Sequence, residues 1–433
     1  MHSPGPITLL HLKRRMHFMR ALVFAVVATI ASLDSAAVTL RVFGGGPSQR
    51  PDLLRQLLDD YERLHPDTHV EIATGGATSE VQRKYLTTLL NAGDSTFDAI
   101  LIDIVTPAQF ASAGWIEPLD TYFGPQAAAF FSQFLPVYRE VDRYDGRWVA
   151  APFDTGALFL FYRSDLLEKY GRPVPRSWNE LADTADFIVS QEKRRGLIGL
   201  SFQGAPIEGT VASFLVPYWS AGGEFLDAQG KLTLNRNKAL GSFRLWLGLI
   251  IRGTAPHNSA EVKTGDTINE FAAGQAVFAV NWGFAWDIFA RADPTAGNHR
   301  FGVAQIPAVD GGQALTTIGG YQWALSTFSH HKKETAELIR YLTSEDSGRW
   351  LTIQGYSLPS RAAAYTDPAI LAARPWVALA GPIVQEGRPR PVTPSYAEVS
   401  EILRRTTSAV LGGSISPEEG FNEMERRLRR VLR

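Results

Sequence analysis

The apolar positions divide the chain into short strands and amphipathic helices. Val38 to Phe43 alternate in the two-residue period of a strand, and Gly44-Gly45-Gly46-Pro47 breaks it. Pro51 then opens a helix with Leu53, Leu54, Leu57, Leu58, Tyr61 and Leu64 on one face, stopped by Pro66. Val70 and Ile72 mark a second strand. A helix through Lys84, Leu86, Leu89 and Leu90 follows and ends near Gly93, and Phe97 to Ile102 reads as a third, nearly continuous apolar strand. This β-α-β-α-β order predicts an α/β fold whose parallel sheet is covered by helices on both faces.

The pattern breaks near Trp148-Val149-Ala150-Ala151-Pro152 and resumes with an apolar strand from Ala157 to Tyr162. Helices are expected over 164–170 and from Trp178 to Val189. A late strand, Tyr321 to Ser326, precedes a helix through Ala336, Leu338, Ile339 and Leu342, and a final helix runs from Pro417 to about Val431. Glu418 and Glu419 begin that helix and Arg426, Arg427, Arg429 and Arg430 lie near its end, with Arg433 just beyond. This arrangement matches the helix dipole and does not require a nucleic-acid partner.

Ahead of the first strand the pattern changes character. Lys13, Arg14, Arg15 and Arg20 precede an apolar run from Ala21 to Leu33, too short for the ~20 residues of a membrane span. Ser35-Ala36-Ala37 supplies the small residues of a cleavage site. Residues 1–37 are expected to be a secretory signal peptide cut after Ala37, which places the mature protein in the periplasm.

Composition narrows the function. The 433 residues are 45% hydrophobic and 20% charged, an ordinary globular balance, and the net charge of −1 creates no basic field for nucleic acid. No cysteine is present, which removes disulfides, thiolate catalysis, cysteine zinc sites and an N-terminal lipid anchor. There is no G-x-x-x-x-G-K-[ST] and no H-E-x-x-H. His65 and His69 are separated by Pro66 and cannot share a helix face. Gly199-Leu200-Ser201-Phe202-Gln203 lacks the second glycine of a nucleophile elbow. No metal or cofactor is expected.

The chemistry that remains is polar and aromatic. Asp103 follows the strand Phe97–Ile102, at the end of an open α/β sheet where ligands sit. Asp154, in Pro152-Phe153-Asp154-Thr155-Gly156, lies beside the pattern break. Either carboxylate can accept hydrogen bonds from vicinal hydroxyls, and either alone also reads as a cap or a strand-end turn. Aromatics cluster with glycine around Trp219 (Tyr218 to Gly223), Trp282 (Asn281 to Trp286) and Tyr321 (Gly319 to Trp323). Glycine lets backbone approach a ligand, and an indole offers a flat apolar face suited to a pyranose ring. The same rings can simply be core.

Five stretches, in order, carry a family resemblance. They are Phe97 to Asp103; Phe159 to Leu167 with Pro175 to Leu181; Ala276 to Trp282; Ile318 to Ser326; and Arg388-Pro389-Arg390-Pro391-Val392-Thr393-Pro394-Ser395-Tyr396. Together they resemble the extracellular solute-binding proteins of carbohydrate ABC importers, the family that includes maltose- and trehalose/maltose-binding proteins. The resemblance implies a two-lobed periplasmic binding protein fold with a sugar in the cleft and three crossings between lobes, near Pro152–Gly156, Pro307–Ile318 and Gly355–Pro359. Lobe one would be 38–152 plus 315–356, and lobe two 156–312 plus 358–433.

The resemblance also implies roles. Asp103 and Asp154 fall at hydroxyl-binding carboxylates, Trp282 at a stacking residue, and Gly320 and Tyr321 at the Gly-Gly-Trp of the late strand, with tyrosine replacing tryptophan. Arg388 or Arg390, the latter preferred, falls near an arginine that contacts sugar hydroxyls, and Tyr396 near a cleft aromatic. The first loop offers Gln49 where relatives often carry an acid. The implied function is a monomeric, non-enzymatic receptor that closes on a disaccharide, trehalose or maltose, and delivers it to transmembrane permease subunits. An oligosaccharide, a sugar phosphate or a polyamine are alternative ligands, and a secreted glycoside hydrolase using Asp103 and Asp154 is the enzymatic alternative.

Overall fold

The computed structural model describes residues 1, 2, 37–291 and 300–433; the expected signal segment, from residue 3 to 36, lies outside them. Two mixed sheets organise the chain. The first has the order β2-β1-β3-β12-β6. It contains β1 (Val38–Phe43), β2 (Thr68–Ala73), β3 (Ala99–Asp103), β6 (Ala151–Pro152) and β12 (Tyr321–Leu325), while β4 (Arg143–Tyr144) and β5 (Arg147–Trp148) form a separate hairpin. The second sheet is built on the long β7 (Asp154–Arg163), flanked by β9 (Ala276–Trp282) and β10 (Phe301–Ala304). The strand β8 (Ile198–Ser201) pairs with β9, and the two-residue strands β11 (Ile318–Gly319) and β13 (Leu358–Pro359) pair with β7.

The first three strands form the expected parallel arrangement, and two further strands extend the sheet in antiparallel sense. β1 pairs in parallel with β2 and β3, but β12 runs antiparallel to β3, and β6 antiparallel to β12. β12 enters only after the chain has passed through the second lobe, so no covering helix dictates its direction. The third strand is also shifted to include Asp103. Asp98 lies before it, accepting from the Arg41 amide (2.8 Å) and the Ser329 hydroxyl (2.6 Å).

Helices form where the apolar stripe predicts them. Pro51–Leu64 buries Leu53, Leu54, Leu57, Leu58 and Tyr61 against the first sheet. The last helix, Pro417–Val431, begins with a capping box in which Ser416 accepts from the Glu419 amide and Glu419 accepts from the Ser416 amide. Each lobe has its own core, one around Leu101 and Trp323, the other around Leu160, Phe278 and Trp246.

The chain changes sheet at three adjacent places. The first lies between β6 and β7, the second between β11 and β12, and the third between Tyr356 and β13. The second differs from the expected 307–318. Thr316 donates to the Leu158 carbonyl (2.6 Å) and Ile318–Gly319 pair with β7, so 315–319 belong with the second lobe and the passage falls at Gly320. Side chains tie the crossings together: Thr155 donates to the Pro359 carbonyl, Ser357 to the Thr155 carbonyl, Ser360 to the Pro152 carbonyl, and Tyr138 to the Gly156 carbonyl.

Gly320 has φ of +132°, and a Cβ there would meet the Asp154 carbonyl oxygen at 2.5 Å. Replacing it with alanine is expected to cost about 1–3 kcal/mol through backbone strain, read as a lower urea midpoint. An unchanged midpoint would mean that the crossing relaxes without loss.

Candidate functional site

A cavity of about 510 Å³ opens between the lobes beside the three crossings. Lobe one contributes the first loop (Ser48, Gln49), the start of the Ser79–Asn91 helix, Asp103 at the end of β3, Tyr321 and Tyr356. Lobe two contributes Glu208, Lys263 to Asp266, Trp282 to Phe284, and Arg390. Asp154 and Gly320 line the wall at the crossings.

Seven residues singled out from the sequence meet in this wall: Gln49, Asp103, Asp154, Trp282, Gly320, Tyr321 and Arg390. Register explains part of the meeting, because Tyr321 sits directly opposite Asp103 across the β12–β3 pair. The Tyr321 amide donates to Asp154 Oδ1 at 2.9 Å, which fixes that carboxyl against the crossing. The Trp282 ring lies so close to Gly319 that a Cβ there would come within 2.8 Å of it. Gln49 braces its own loop, with Oε1 accepting from the Gly46 amide (2.7 Å) and from Gln82 (3.1 Å).

Three residues stand elsewhere, correcting the expectation that they face the cleft. Trp219 is 3% exposed and belongs to a helical core, because every residue of its helix, Glu208–Ser220, is buried. Arg388 donates to the Gly223 carbonyl and to Glu224, with its guanidinium 4.6 Å from the Trp219 ring centre, outside the cavity lining. Tyr396 is fully buried behind the wall and donates to Glu208 Oε2 at 2.8 Å. Of the two arginines, Arg390 reaches the cavity.

Arg390 is the centre of the polar wall. Nη2 donates to Asp103 Oδ1 at 2.7 Å and Nη1 to Glu208 Oε2 at 3.1 Å, while the guanidinium lies 5.7 Å from the Trp282 ring centre. Asp103 also accepts from the Ser79 hydroxyl (2.5 Å) and the Val105 amide (3.2 Å). Glu208 accepts further bonds from Arg83 Nη2 (2.9 Å), Tyr396 and Ser400 (2.6 Å). Sequence reading missed both Glu208 and Arg83. The available signal was a single acid at the head of an otherwise uncharged, mostly apolar run, Glu208 to Trp219, since acids are rarely buried without partners.

The sequence profile of the family described as "Bacterial extracellular solute-binding protein" matches residues 46–349. A "Probable ABC transporter-binding protein" of Deinococcus radiodurans is 30% identical over 414 residues, covering 94% of this chain and 96% of that protein. The solved structure described as "Maltose bound T. maritima MalE3" superimposes with a TM-score of 0.84 at 31% identity, covering 92% of this chain and all of that one. The acarbose-binding GacH receptor of Streptomyces glaucescens shares the fold, with a TM-score of 0.80, 24% identity and coverage of 92% and 98%.

The chain belongs to the bacterial extracellular solute-binding proteins. It is the solute-binding component of an ABC transporter, with a two-lobed α/β fold close to that of sugar-binding relatives. Among the described residues, no group of three or more His, Asp or Glu could hold a metal ion, and no helix is long and apolar enough to cross a membrane.

Two carboxyls of this solute-binding protein are driven in opposite directions. Burial would raise Glu208, but the positive charges of Arg83 and Arg390, with the bonds from Ser400 and Tyr396, outweigh it and hold it at about 2. Among the described residues, no cation lies beside Asp154. Burial pushes it up to about 7, with the nearby Asp103 charge adding to the rise and the Tyr321 amide opposing it.

The sign of the resulting pH dependence follows from linkage. A carboxyl with an ordinary value of 3.8 when unfolded and about 7 when folded keeps an extra proton in the fold between those values. Asp154 therefore lowers stability progressively as pH rises from about 4 to 7, and by a constant amount above that. Asp154→Asn is expected to gain stability relative to the native protein across this interval, measured by urea denaturation at successive pH values. A difference independent of pH would show that Asp154 titrates normally.

Proposed function

We propose that this protein is the periplasmic receptor of an ABC sugar importer. It takes a disaccharide, with maltose and trehalose as the first candidates, into the cleft as a monomer, closes by rotation of the lobes about the three crossings, and delivers the sugar to the transmembrane permease subunits. The observation that carries this reading is the composition of one wall. The Trp282 ring, flanked by Phe284, meets a polar rim containing Asp103, Asp154, Tyr321 and Arg390, in a cavity of about 510 Å³. Sugars present apolar C–H faces and a rim of hydroxyls, and this wall offers a partner for each. The likeness to a maltose-bound relative at 31% identity supports the choice of sugar class.

The charges of the wall favour a neutral ligand over a sugar phosphate. Five acids line it, Glu80, Asp103, Asp154, Glu208 and Asp266, against the two cations Lys263 and Arg390. Arg390 already donates to Asp103 and Glu208, so an incoming phosphate would compete with two bound carboxylates.

A thermal-shift screen of the purified protein against mono-, di- and oligosaccharides, with spermidine and a sugar phosphate as controls, tests the proposal. A disaccharide at 100 times its dissociation constant is expected to stabilise the fold by ~2.7 kcal/mol and raise the melting temperature. Stabilisation by spermidine or the sugar phosphate alone would overturn the ligand class. Trp282→Ala should weaken binding of the responding sugar by about 1–2 kcal/mol by calorimetry, and unchanged affinity would remove Trp282 from the site.

A further inference from the structure

Beside the cavity runs a row of four charges, Arg83–Glu208–Arg390–Asp103, that alternates in sign and crosses between the lobes at each end. Arg83 projects from the Ser79–Asn91 helix of lobe one and donates to Glu208, the first residue of a lobe-two helix. Arg390 of lobe two donates to Glu208 and to Asp103, the last residue of a lobe-one strand. Each lobe therefore supplies one arginine and one acid, and each arginine reaches an acid of the other lobe. All four residues are buried, with exposures of 7% for Arg83, 9% for Asp103, 5% for Glu208 and 2% for Arg390. Arg83 also lies over the Tyr396 ring of lobe two, 5.4 Å from its centre.

We infer that these four residues form a reciprocal latch across the cleft, which favours the closed lobes through protein–protein bonds alone and fixes the register in which they meet. The inference goes beyond the proposed sugar binding and does not depend on which sugar is bound.

Removing charges from water is costly, and a buried pair adds to closure only when its members are fully bonded. Lobe two meets most of that cost in advance. Arg390, Tyr396 and Ser400 already hold Glu208, with Tyr396 and Ser400 on a helix, Tyr396–Leu411, that packs on the Glu208 helix. Closure then adds the Arg83–Glu208 and Arg390–Asp103 bonds to groups that are already oriented. The alternating row also discriminates. Sliding one lobe along the other would bring Arg83 toward Arg390, or Asp103 toward Glu208, and like charges in a desolvated seam repel.

Arg83 separates the latch from the ligand site, because it does not line the cavity. The test is small-angle X-ray scattering of the protein without sugar. Arg83→Gln is expected to show a larger radius of gyration than the native protein, and Arg83→Lys, which keeps the charge, a value close to native. Circular dichroism and a melting curve establish that each variant is folded. If Arg83→Gln does not fold, Asp103→Asn reads the other cross-lobe pair in the same way. A lost latch lowers the closed fraction, so the affinity of Arg83→Gln for the responding sugar should fall by roughly tenfold with no cavity residue altered. Native-like scattering from the folded variant overturns the latch. Because the scattering comparison uses no ligand, it stands even if maltose and trehalose fail to bind, and a failed sugar screen leaves it intact.

Discussion

Glu208 is a carboxylate taken out of water, and the arrangement of the cleft follows from the donors needed to keep it there. Two arginines, a tyrosine and a serine converge on its two oxygens, and together they hold it ionised at about 2 against the effect of burial. One of those arginines comes from the opposite lobe. The other is shared with Asp103, so the charge balance of one lobe is completed by the other. Asp154 shows what happens without such partners. At a similar depth but with no cation among the described residues in contact, burial dominates and its carboxyl rises to about 7. Two acids in one wall thus arrive at neutral pH in different states, one a fixed anion and the other poised between charged and neutral.

The three crossings make this convergence possible. Asp154, Gly320 and Tyr356 lie on three successive passages of the chain; Thr155, Ser357 and Ser360 bond the first to the third, and the Tyr321 amide bonds the second to Asp154 on the first. The close approach of Gly320 to the Asp154 carbonyl, and of Gly319 to the Trp282 ring, leaves no room for side chains. In the proposed closure, rotation about a cluster this compact would move the lobes while keeping Asp154 and the base of the cavity in place.

Much of this outline was legible in the order of apolar and polar positions. The strand–helix alternation from Val38 to Asn91, the last helix and the break at Pro152 all follow from periodicity and from proline and glycine punctuation. Asp103 and Asp154 could be singled out because strand ends beside a break are where an α/β sheet exposes polar groups. Periodicity is blind to what lies across the sheet. It could not show that β12 would run antiparallel to β3, or that residues 315–319 would pair with β7 before the chain crossed at Gly320. It also could not separate a cavity-lining tryptophan from a core one. Trp219 and Trp282 each lie within three residues of a glycine, and only the enclosure of the Glu208–Ser220 helix on all sides distinguishes them.

Glu208 was illegible for a different reason. Its partners are 125, 182, 188 and 192 residues away, so no local spacing records them. An acid in the first turn of a helix ordinarily reads as a response to the helix dipole, which is sufficient explanation on a solvated surface. Here every residue of the helix is buried, and the dipole cannot meet the cost of a desolvated carboxylate by itself. The anomaly lies in the conjunction of a lone charge with a buried run that is otherwise uncharged, which demands a buried cation from elsewhere in the chain. Arg83 and Arg390 answer that demand from opposite lobes, which makes a local electrostatic requirement into a constraint on how the two lobes meet.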